Sequence, residues 1–323
     1  MGTSQATTAS AEMVGAGRPS RPLIIGWEPT PAGVDAVALG RALAQALGVP
    51  PLLAHVVALP PHLLTSAEIE RGTRKEAEAM LADPREQLAD LDPTTEVVVE
   101  PSVARALQEL ARQREASCIV LGASHRSAAG RLLLGNVGVS LLHGAPCPVA
   151  VAPRGWEGEL EGATVGVAFD GSAEAFAALE AAVAIAQRAS AELTILTIAE
   201  PPVMGVATTY AVLSAADWYG SARAEAERIG EIAAGHVGTR APHRVSVRAG
   251  AVVQILREAS AEVDIMLIGS RAYGSIGRTL LGSTAAGLLT QAACPVLVIP
   301  RGAGTNAFHL IPGRAERARE SAA

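Results

Sequence analysis

Short runs of consecutive apolar residues alternate along the chain with longer stretches in which apolar residues recur with a helical period of 3.6. The runs predict strands at 23–27, 51–57, 95–99, 117–122, 148–152, 164–169, 192–198, 244–248, 263–268 and 295–299. Helical periodicity is clearest at 33–47, 66–91, 173–189 and 221–235. Pro84 interrupts the second of these helices and is expected to kink or split it. Because the strand runs are continuous rather than alternating, we expect parallel strands that are buried on both faces of a sheet, with helices on each side.

The same pattern occurs twice. The segment APCPVAVAPRG at 145–155 closely matches AACPVLVIPRG at 292–302, which lies 147 residues further on. At the same offset, 121–142 matches 268–289, with glycines in register. A unit of about 140 residues has therefore been duplicated. The prediction is an α/β protein made of two tandem doubly wound parallel-sheet, Rossmann-like domains.

Composition changes divide the chain around these two units. A length of 323 residues suits two domains at about 150 residues each. The first residues are rich in Thr, Ser, Ala and Gly, and a polar segment containing glycine separates the repeats. We predict a disordered segment at 1–20, domain 1 at 21–153, a linker at 154–162, domain 2 at 163–302 and a mobile tail at 303–323.

Overall charge and hydrophobicity exclude several classes of protein. Apolar residues make up 49% of the chain, which argues against disorder. The net charge of −6 gives no basic excess for binding a nucleic-acid backbone. No uninterrupted apolar stretch reaches the roughly 18 residues that a membrane span needs, and the N-terminus lacks the apolar core of a signal peptide. We therefore expect a cytoplasmic protein that binds neither nucleic acid nor membrane.

The cysteines and histidines indicate no metal site or disulfide framework. The three cysteines, Cys118, Cys147 and Cys294, are odd in number, lie in apolar runs and have no C-x-x-C spacing. They are expected to be packed thiols in a reducing compartment. The histidines have no metal-ligand spacing, and His55, at a strand end, is expected to be packed or bonded to the backbone.

Candidate binding residues gather where the strands of domain 2 end. An open parallel sheet binds ligands at the carboxyl ends of its strands. The first strand of domain 2 ends at Asp170, the second around Ile198, and the fourth at Gly269, before the glycine-rich SRAYGSIGRTLLGST. The next helix is expected to begin at Ser283, an N-cap-type residue whose neighbouring N–H groups suit a phosphate. The Asp170 carboxylate suits ribose hydroxyls or a metal ion beside phosphates.

Other phosphate-handling and hydrolytic sites do not fit the sequence. The stretch 277–284 has the spacing of a P-loop, but Ser283 stands where the lysine is required, and Lys75 is the chain's single lysine. There is no Gly-x-Ser-x-Gly nucleophile elbow. From the residues alone, a set of tight turns in a glycine-containing loop remains the alternative to a binding loop.

These motifs resemble the universal stress protein family. The resemblance rests on Gly269-x-x-Ala272-x9-Gly282-Ser283, on the following Ala-Cys-Pro-Val-Leu-Val-Ile-Pro and on the opening Val-Ala-Phe-Asp170-Gly-Ser. It covers roughly 21–302 as two tandem domains. The family's ATP-binding pattern is Gly, two residues, Gly, nine residues, Gly, then Ser or Thr.

The resemblance implies ATP as the ligand, with or without Mg²⁺. Carried over to this sequence, Asp170 would contact ribose or metal and the Ile198 backbone would meet adenine. The implied ribose- and phosphate-lining residues are Gly269, Ala272, Gly282, Ser283 and Thr284.

Departures from the family pattern separate the two domains. In domain 2, Ala272 stands where the second glycine is expected. In domain 1, His125 takes that position, Asn136 replaces Ser or Thr, and Glu28-Pro29 replaces Asp-Gly. His125 would either pair with a phosphate or obstruct the groove. We expect domain 2 to be the better nucleotide site and domain 1 to be mainly structural.

The resulting functional hypothesis is a stress-response regulatory module that binds ATP, at most hydrolyses it slowly, and acts through a protein partner. The alternative is a ligand-free tandem interaction scaffold in which the glycine loops are remnants. Duplication suits both, because tandem units can reproduce the two-fold pairing of a homodimer within one chain. The family resemblance implies that this internal pairing joins 148–152 to 295–299, and it leaves association of two chains open.

Overall fold

The computed structural model describes residues 21–62, 67–123, 135–200, 209–270 and 282–300. The expected disordered start at 1–20 and tail at 303–323 lie outside these ranges. So do Ala272 and His125, whose proposed roles stay predictions.

Domain 1 alternates strands and helices in the predicted order. Its elements are β1 (Leu23–Gly26), α1 (Pro31–Leu47), β2 (Pro51–Ala58), α2 (Ala67–Met80), α3 (Ala82–Glu86), a 3₁₀ turn (Ala89–Leu91), β3 (Thr94–Glu100), α4 (Val103–Gln113), β4 (Cys118–Gly122), α5 (Asn136–Leu142) and β5 (Val149–Ala152).

Domain 2 repeats this order. Its elements are β6 (Thr164–Ala168), α6 (Ala173–Arg188), β7 (Glu192–Ala199), α7 (Thr209–Val237), β8 (His243–Ala249), α8 (Val252–Ala259), β9 (Ile265–Gly269), α9 (Ser283–Leu288) and β10 (Val296–Ile299).

The predicted strands are confirmed to within two residues at each end. Two helices differ from expectation. The helix predicted at 66–91 is divided at Leu81, ahead of Pro84, which lies inside the short α3. The helix predicted at 221–235 begins earlier, at Thr209, and becomes α7.

All strands in the described residues belong to one continuous sheet. The ten strands follow the order β3-β2-β1-β4-β5-β10-β9-β6-β7-β8. Pairing within each domain is parallel, whereas β5 and β10 pair antiparallel, with Leu297 opposite Ala150. The expected pairing of 148–152 with 295–299 is thereby confirmed. The two doubly wound units form a pseudo-dimer within one chain.

Helices cover both faces of this sheet, as the continuous apolar runs predict. On one face Ile25 and Ile195 are fully buried in a cluster that includes residues of α1 and α6. On the other face Ile24 and Leu196 are buried with residues of α4, α5, α8 and α9. Each cluster contains residues of both domains, so the domains share their hydrophobic core. No helix among the described ranges has the length and hydrophobicity required to cross a membrane.

The cysteines are packed thiols. Cys118, Cys147 and Cys294 are all buried and unbridged. Burial raises the pKa of Cys147 and of Cys294 to about 12, because a thiolate would lose its hydration in the apolar interior. Their thiols therefore stay protonated at neutral pH.

Candidate functional site

A cavity of about 330 Å³ lies at the carboxyl ends of the domain 2 strands. We call it the domain 2 cavity. It forms where β6 is flanked by β7 on one side and β9 on the other, the point at which the strand order reverses. Of the predicted site residues, those that the structure describes all line it: Asp170, Ile198, Gly269, Gly282, Ser283 and Thr284.

Asp170 is held at the mouth of the cavity by the turn after β6. Its Oδ1 atom accepts a hydrogen bond of 3.0 Å from the Ser172 backbone N–H. Gly171 has a φ of +78°, a left-handed conformation that glycine adopts without steric cost. Ser172 then caps α6, accepting a 3.2 Å bond from the Ala175 N–H. This turn leaves the Asp170 side chain exposed beside the cavity.

Gly269 lines the cavity, and the packing of α6 on the sheet leaves no room for a side chain at this position. A Cβ at this position would lie 2.7 Å from the backbone carbonyl carbon of Glu174, in the first turn of α6. In domain 1, a Cβ on Gly122 would lie 1.9 Å from the Ala32 carbonyl oxygen, at the start of α1. The glycine that ends the fourth strand of each repeat therefore lets the first helix approach the sheet.

The helix after the glycine-rich segment begins at Ser283, as predicted, but its cap differs from expectation. Gly282 occupies the N-cap in an extended conformation, with φ −64° and ψ 152°, and Ser283 is the first helical residue. The expectation that Ser283 itself caps the helix is wrong, because the chain is already helical there. The first N–H groups of a helix have no intrahelical partner. Together with the Ser283 and Thr284 hydroxyls, they supply hydrogen-bonding groups beside the cavity.

The structure adds lining residues that the motif did not include. Phe169 follows β6 directly, Glu200 follows β7 directly, and Ala226 and Ile229 of α7 form one wall. Thr197 of β7 also lines the cavity and is only 1% exposed. The wall from α7 could not be placed from the sequence, because helical periodicity does not say over which strand a helix lies.

Domain 1 has a cavity of about 460 Å³ in the equivalent place, which we call the domain 1 cavity. Gly122 and Gly135, which keep the family pattern, line it together with Glu28, Pro29 and Asn136, which depart from it. The expectation of a mainly structural domain 1 did not anticipate this space.

The turn after β1 differs from its counterpart in domain 2. The Glu28 Oε1 atom accepts a 3.0 Å hydrogen bond from the Thr30 hydroxyl. Pro29 fixes φ near −65° where domain 2 has a left-handed glycine. A Cβ on Gly33, in the first turn of α1, would lie 2.0 Å from the Glu28 carbonyl oxygen. The backbone that follows β1 therefore runs close against the start of α1.

His55 is bonded to the backbone, as expected. Its Nδ1 atom lies 2.9 Å from the Trp27 carbonyl oxygen, and the two rings meet edge to face with centroids 5.7 Å apart. Because a carbonyl only accepts, Nδ1 carries the proton in this contact. Within the described parts of the chain, no group of three or more His, Cys, Asp or Glu side chains could hold a metal ion.

Comparisons with known proteins identify the family. The sequence model of the Universal stress protein family matches residues 21–153 and again 163–300. Universal stress proteins of Mycobacterium bovis and of Mycobacterium tuberculosis are each 26% identical over 209 residues, covering 62% of this chain and 69% of theirs. The crystal structure of a universal stress protein from Archaeoglobus fulgidus aligns with a TM-score of 0.65 at 20% identity, over 88% of this chain and 99% of that one. The chain therefore belongs to the universal stress protein family and carries two of the family's domains in tandem.

Proposed function

We propose that this protein is an ATP-binding regulatory module of the stress response, with ATP held mainly in the domain 2 cavity. The observation that carries the proposal is the convergence of Asp170, Ile198, Gly269, Gly282, Ser283 and Thr284 on one cavity. These residues come from four separate places in the sequence, the ends of β6, β7 and β9 and the start of α9. A parallel sheet brings its strand ends and the helix starts that follow them together at its ligand-binding edge.

The chemistry of the cavity suits the parts of a nucleotide. The carboxylate of Asp170 can accept hydrogen bonds from ribose hydroxyls. The backbone N–H groups and hydroxyls around Ser283 and Thr284 can donate to phosphate oxygens. Phe169 and Leu256 provide apolar surface for a base. A largely apolar lining with a few polar groups is typical of small-molecule sites.

Mg²⁺ would enter this site together with the nucleotide. Proteins usually hold Mg²⁺ through one or two carboxylates plus substrate phosphates rather than in a protein cage. Asp170 and Glu200 both line the cavity and are both exposed, so either carboxylate fits that role.

We propose binding without rapid turnover. Ser283 stands at the position where a P-loop has its phosphate-binding lysine. ATP would then act as a ligand whose occupancy alters the shape or partner choice of the protein. The cytoplasmic location and the protein partner stay predictions.

Calorimetric titration of the full chain with ATP in the presence of Mg²⁺ tests the proposal. We expect one site per chain. Asp170→Asn keeps the acceptor for the Ser172 N–H but removes the charge, and should weaken ATP binding by about 10- to 100-fold, the equivalent of a charged hydrogen bond. The matched change in domain 1, Glu28→Gln, should leave the affinity unchanged.

Two results would contradict the proposal. Absence of ATP binding to the wild-type chain would favour the alternative of a ligand-free scaffold, in which the shared core of the two domains serves only to present a surface. An Asp170→Asn protein that binds ATP as the wild type does would place the nucleotide elsewhere.

A further inference from the structure

The two edge strands of the sheet, β3 and β8, direct backbone hydrogen-bonding groups outward. They stand at opposite ends of the strand order, so each pairs with a single neighbour among the described strands. The strands of each domain are parallel and β5 is antiparallel to β10, so β3 and β8 run in opposite directions. An edge strand can pair with a strand of another chain. The β8 edge of one chain can therefore join the β3 edge of a second chain as an antiparallel pair that continues the sheet.

Odd-numbered residues of β8 face outward. The Pro242 carbonyl oxygen accepts a 2.9 Å hydrogen bond from the Leu193 N–H, and the Gly250 N–H donates to the Ala199 carbonyl oxygen at 3.1 Å. Both contacts join even-numbered positions at the ends of β8 to β7. Because backbone groups alternate in direction along a strand, the N–H and C=O groups of the odd-numbered residues point away from the sheet.

Odd-numbered residues of β3 face outward as well. The Ala54 carbonyl oxygen accepts a 2.9 Å bond from the Trp27 N–H, so even-numbered residues of β2 bond to β1 and odd-numbered ones bond to β3. His55 is in register with Val97, and in a parallel ladder a residue bonds to the two neighbours of its partner, not to the partner itself. The Val97 carbonyl therefore points outward. It accepts a 2.7 Å bond from Arg74 of α2, which must turn away when another strand pairs here.

One antiparallel register gives these two edges matching side chains. With Val98 opposite Ser246, the outward-facing odd-numbered residues oppose one another, as hydrogen-bonded pairs require. The charged residues then fall at non-hydrogen-bonded positions, where opposing side chains are closest. The charged pairs are Glu96 with Arg248 and Glu100 with Arg244, and the valine pairs are Val97 with Val247 and Val99 with Val245.

The charged residues of both strands also lie on the same face of the sheet. Val98 packs against the core cluster on the α4 and α8 face, and Ser246 is in register with Leu196 of that cluster. Side chains alternate along a strand, so the charged residues two positions away share this face. A groove of about 440 Å³ beside α4 is lined by Glu96, Val98 and Glu100, which leaves room for the arginine side chains of a second chain.

The ion pairs already present at each edge would be extended by this contact. Glu96 pairs with Arg114 at 2.8 Å, and Arg248 pairs with Glu262. Joining the edges would give a row of alternating charge across the junction. The second row would alternate in the same way and consists of Arg105, Glu100, Arg244 and Glu192.

Pairing of two identical edges is disfavoured. An antiparallel pair of β3 strands centred on Val98 would place Glu96 opposite Glu100. The corresponding pair of β8 strands would place Arg244 opposite Arg248. Like charges directly opposite each other across strands are destabilising. The charges therefore favour β3 with β8 over either edge with its own copy.

We propose that this protein associates head to tail with further copies of itself, β8 of one chain adding to β3 of the next. One added strand is a small interface, so the association is weak and depends on concentration. Each contact leaves a β3 edge and a β8 edge at the two ends of the assembly, so more chains can be added. The inference goes beyond the proposed function and does not depend on ATP.

Sedimentation velocity of the full chain at increasing concentration tests this inference. We expect an average mass that rises with concentration and falls at high ionic strength, because salt screens the charge pairs. The double variants Glu96→Lys with Glu100→Lys, and Arg244→Glu with Arg248→Glu, should each associate about 10-fold more weakly or less, since opposite charges become like charges. An equimolar mixture of the two double variants should associate again, because each basic edge then meets an acidic one.

Two further variants separate the edge contact from general effects of charge and stability. Arg223→Glu with Arg228→Glu makes the same change of charge on exposed parts of α7 and should leave association unchanged. Val99→Pro removes an outward N–H and no bond to β2, and proline is tolerated at such edge positions. It should weaken association and leave the urea midpoint and circular dichroism near those of the wild type.

Four results would overturn the inference. The first is a wild type that sediments as a single chain at every concentration up to about 1 mM. The second is an assembly that stops at two chains, since this would indicate a two-fold contact. The third is association of either charge-reversed variant as strong as that of the wild type. The fourth is a mixture of the two charge-reversed variants that fails to associate, because the charges would then not face each other. ATP binding in the domain 2 cavity is tested separately and is untouched by any of these results.

Discussion

Domain 1 and domain 2 each have a cavity at the ends of equivalent strands, but the turns after their first strands differ. In domain 2 the left-handed Gly171 follows Asp170, whereas in domain 1 Pro29 follows Glu28. Both turns still end in a hydroxyl residue that caps the next helix. The comparison shows that duplication retained what the packing of the first helix requires, while the groups that line the cavities diverged.

The residues after the glycine-rich segment differ in the same way. Ser283 and Thr284 in domain 2 correspond to Asn136 and Val137 in domain 1, and Val137 is 41% exposed. The domain 1 cavity is the larger of the two, about 460 Å³ against about 330 Å³. Our assignment of ATP to domain 2 therefore rests on the hydrogen-bonding groups around its cavity and not on cavity volume.

The largest expected effect comes from blocking each cavity in turn. Gly282→Val in domain 2 should weaken ATP binding by at least 100-fold, equivalent to about 2.7 kcal/mol, because the branched side chain occupies phosphate space. The backbone of Gly282 has φ −64°, which valine can adopt, so the fold should survive. Calorimetry with ATP measures the loss, and circular dichroism checks the fold.

Gly135→Val provides the matched control, since Gly135 is the N-cap of α5 with φ −77°. It should leave the ATP affinity of the full chain unchanged. If the two variants reduce ATP binding equally, the two cavities are equivalent and the assignment to domain 2 is wrong.

A second pair of variants tests the packing that both domains share. Gly122→Ala should lower the free energy of unfolding by an amount near the upper end of about 1–3 kcal/mol, the usual range for overpacking. Gly269→Ala should cost less within that range, because its Cβ would meet backbone at 2.7 Å rather than 1.9 Å. Urea unfolding of both proteins measures the difference. Unchanged stability of both variants would show that the packing of α1 and α6 on the sheet does not require glycine at these positions.

The smallest effect concerns the ion pairs that tie each first helix to a later segment. In domain 1, Arg41 of α1 pairs with Asp90, and in domain 2, Glu180 of α6 accepts bonds of 2.8 and 2.9 Å from Arg240. The Arg240 guanidinium, helped by a contact from His236, holds the pKa of Glu180 below its ordinary value. A carboxyl with a lowered pKa in the folded state stabilises the protein above its unfolded pKa, and the stabilisation is lost as the pH falls through the folded pKa.

Glu180→Gln should therefore lower the free energy of unfolding at pH 7 by about 1 kcal/mol or less, as is usual for partly exposed ion pairs. The difference from wild type should shrink once the pH falls below about 4.3, the unfolded pKa of a glutamate. Thermal unfolding across pH measures this dependence, with Asp90→Asn as the exposed domain 1 control. A difference that stays constant down to pH 3 would assign the effect to packing rather than charge.

Much of the candidate site was predictable because its parts are local motifs. Asp170, Gly282 and Ser283 could be assigned from their places after a strand or before a helix, and all three line the domain 2 cavity. The cap of α9 was assigned one residue too late, because a hydroxyl residue next to a glycine leaves two candidates for the N-cap. The second predicted helix is divided at Leu81, whereas the sequence predicted the break at the nearby Pro84, because proline is the residue that interrupts helices.

The sequence by itself determined the strands, their parallel arrangement and the duplication, because continuous apolar runs and a repeated spacing are properties of neighbouring residues. Only the tertiary structure decided that α7 covers the domain 2 cavity and that Gly269 is pressed against α6. It also showed that, among the described residues, the Thr197 hydroxyl has no hydrogen-bond partner whereas His55 is bonded to a carbonyl oxygen. These features depend on contacts between segments far apart in the chain, and the distances between such segments are set by how helices pack on the sheet.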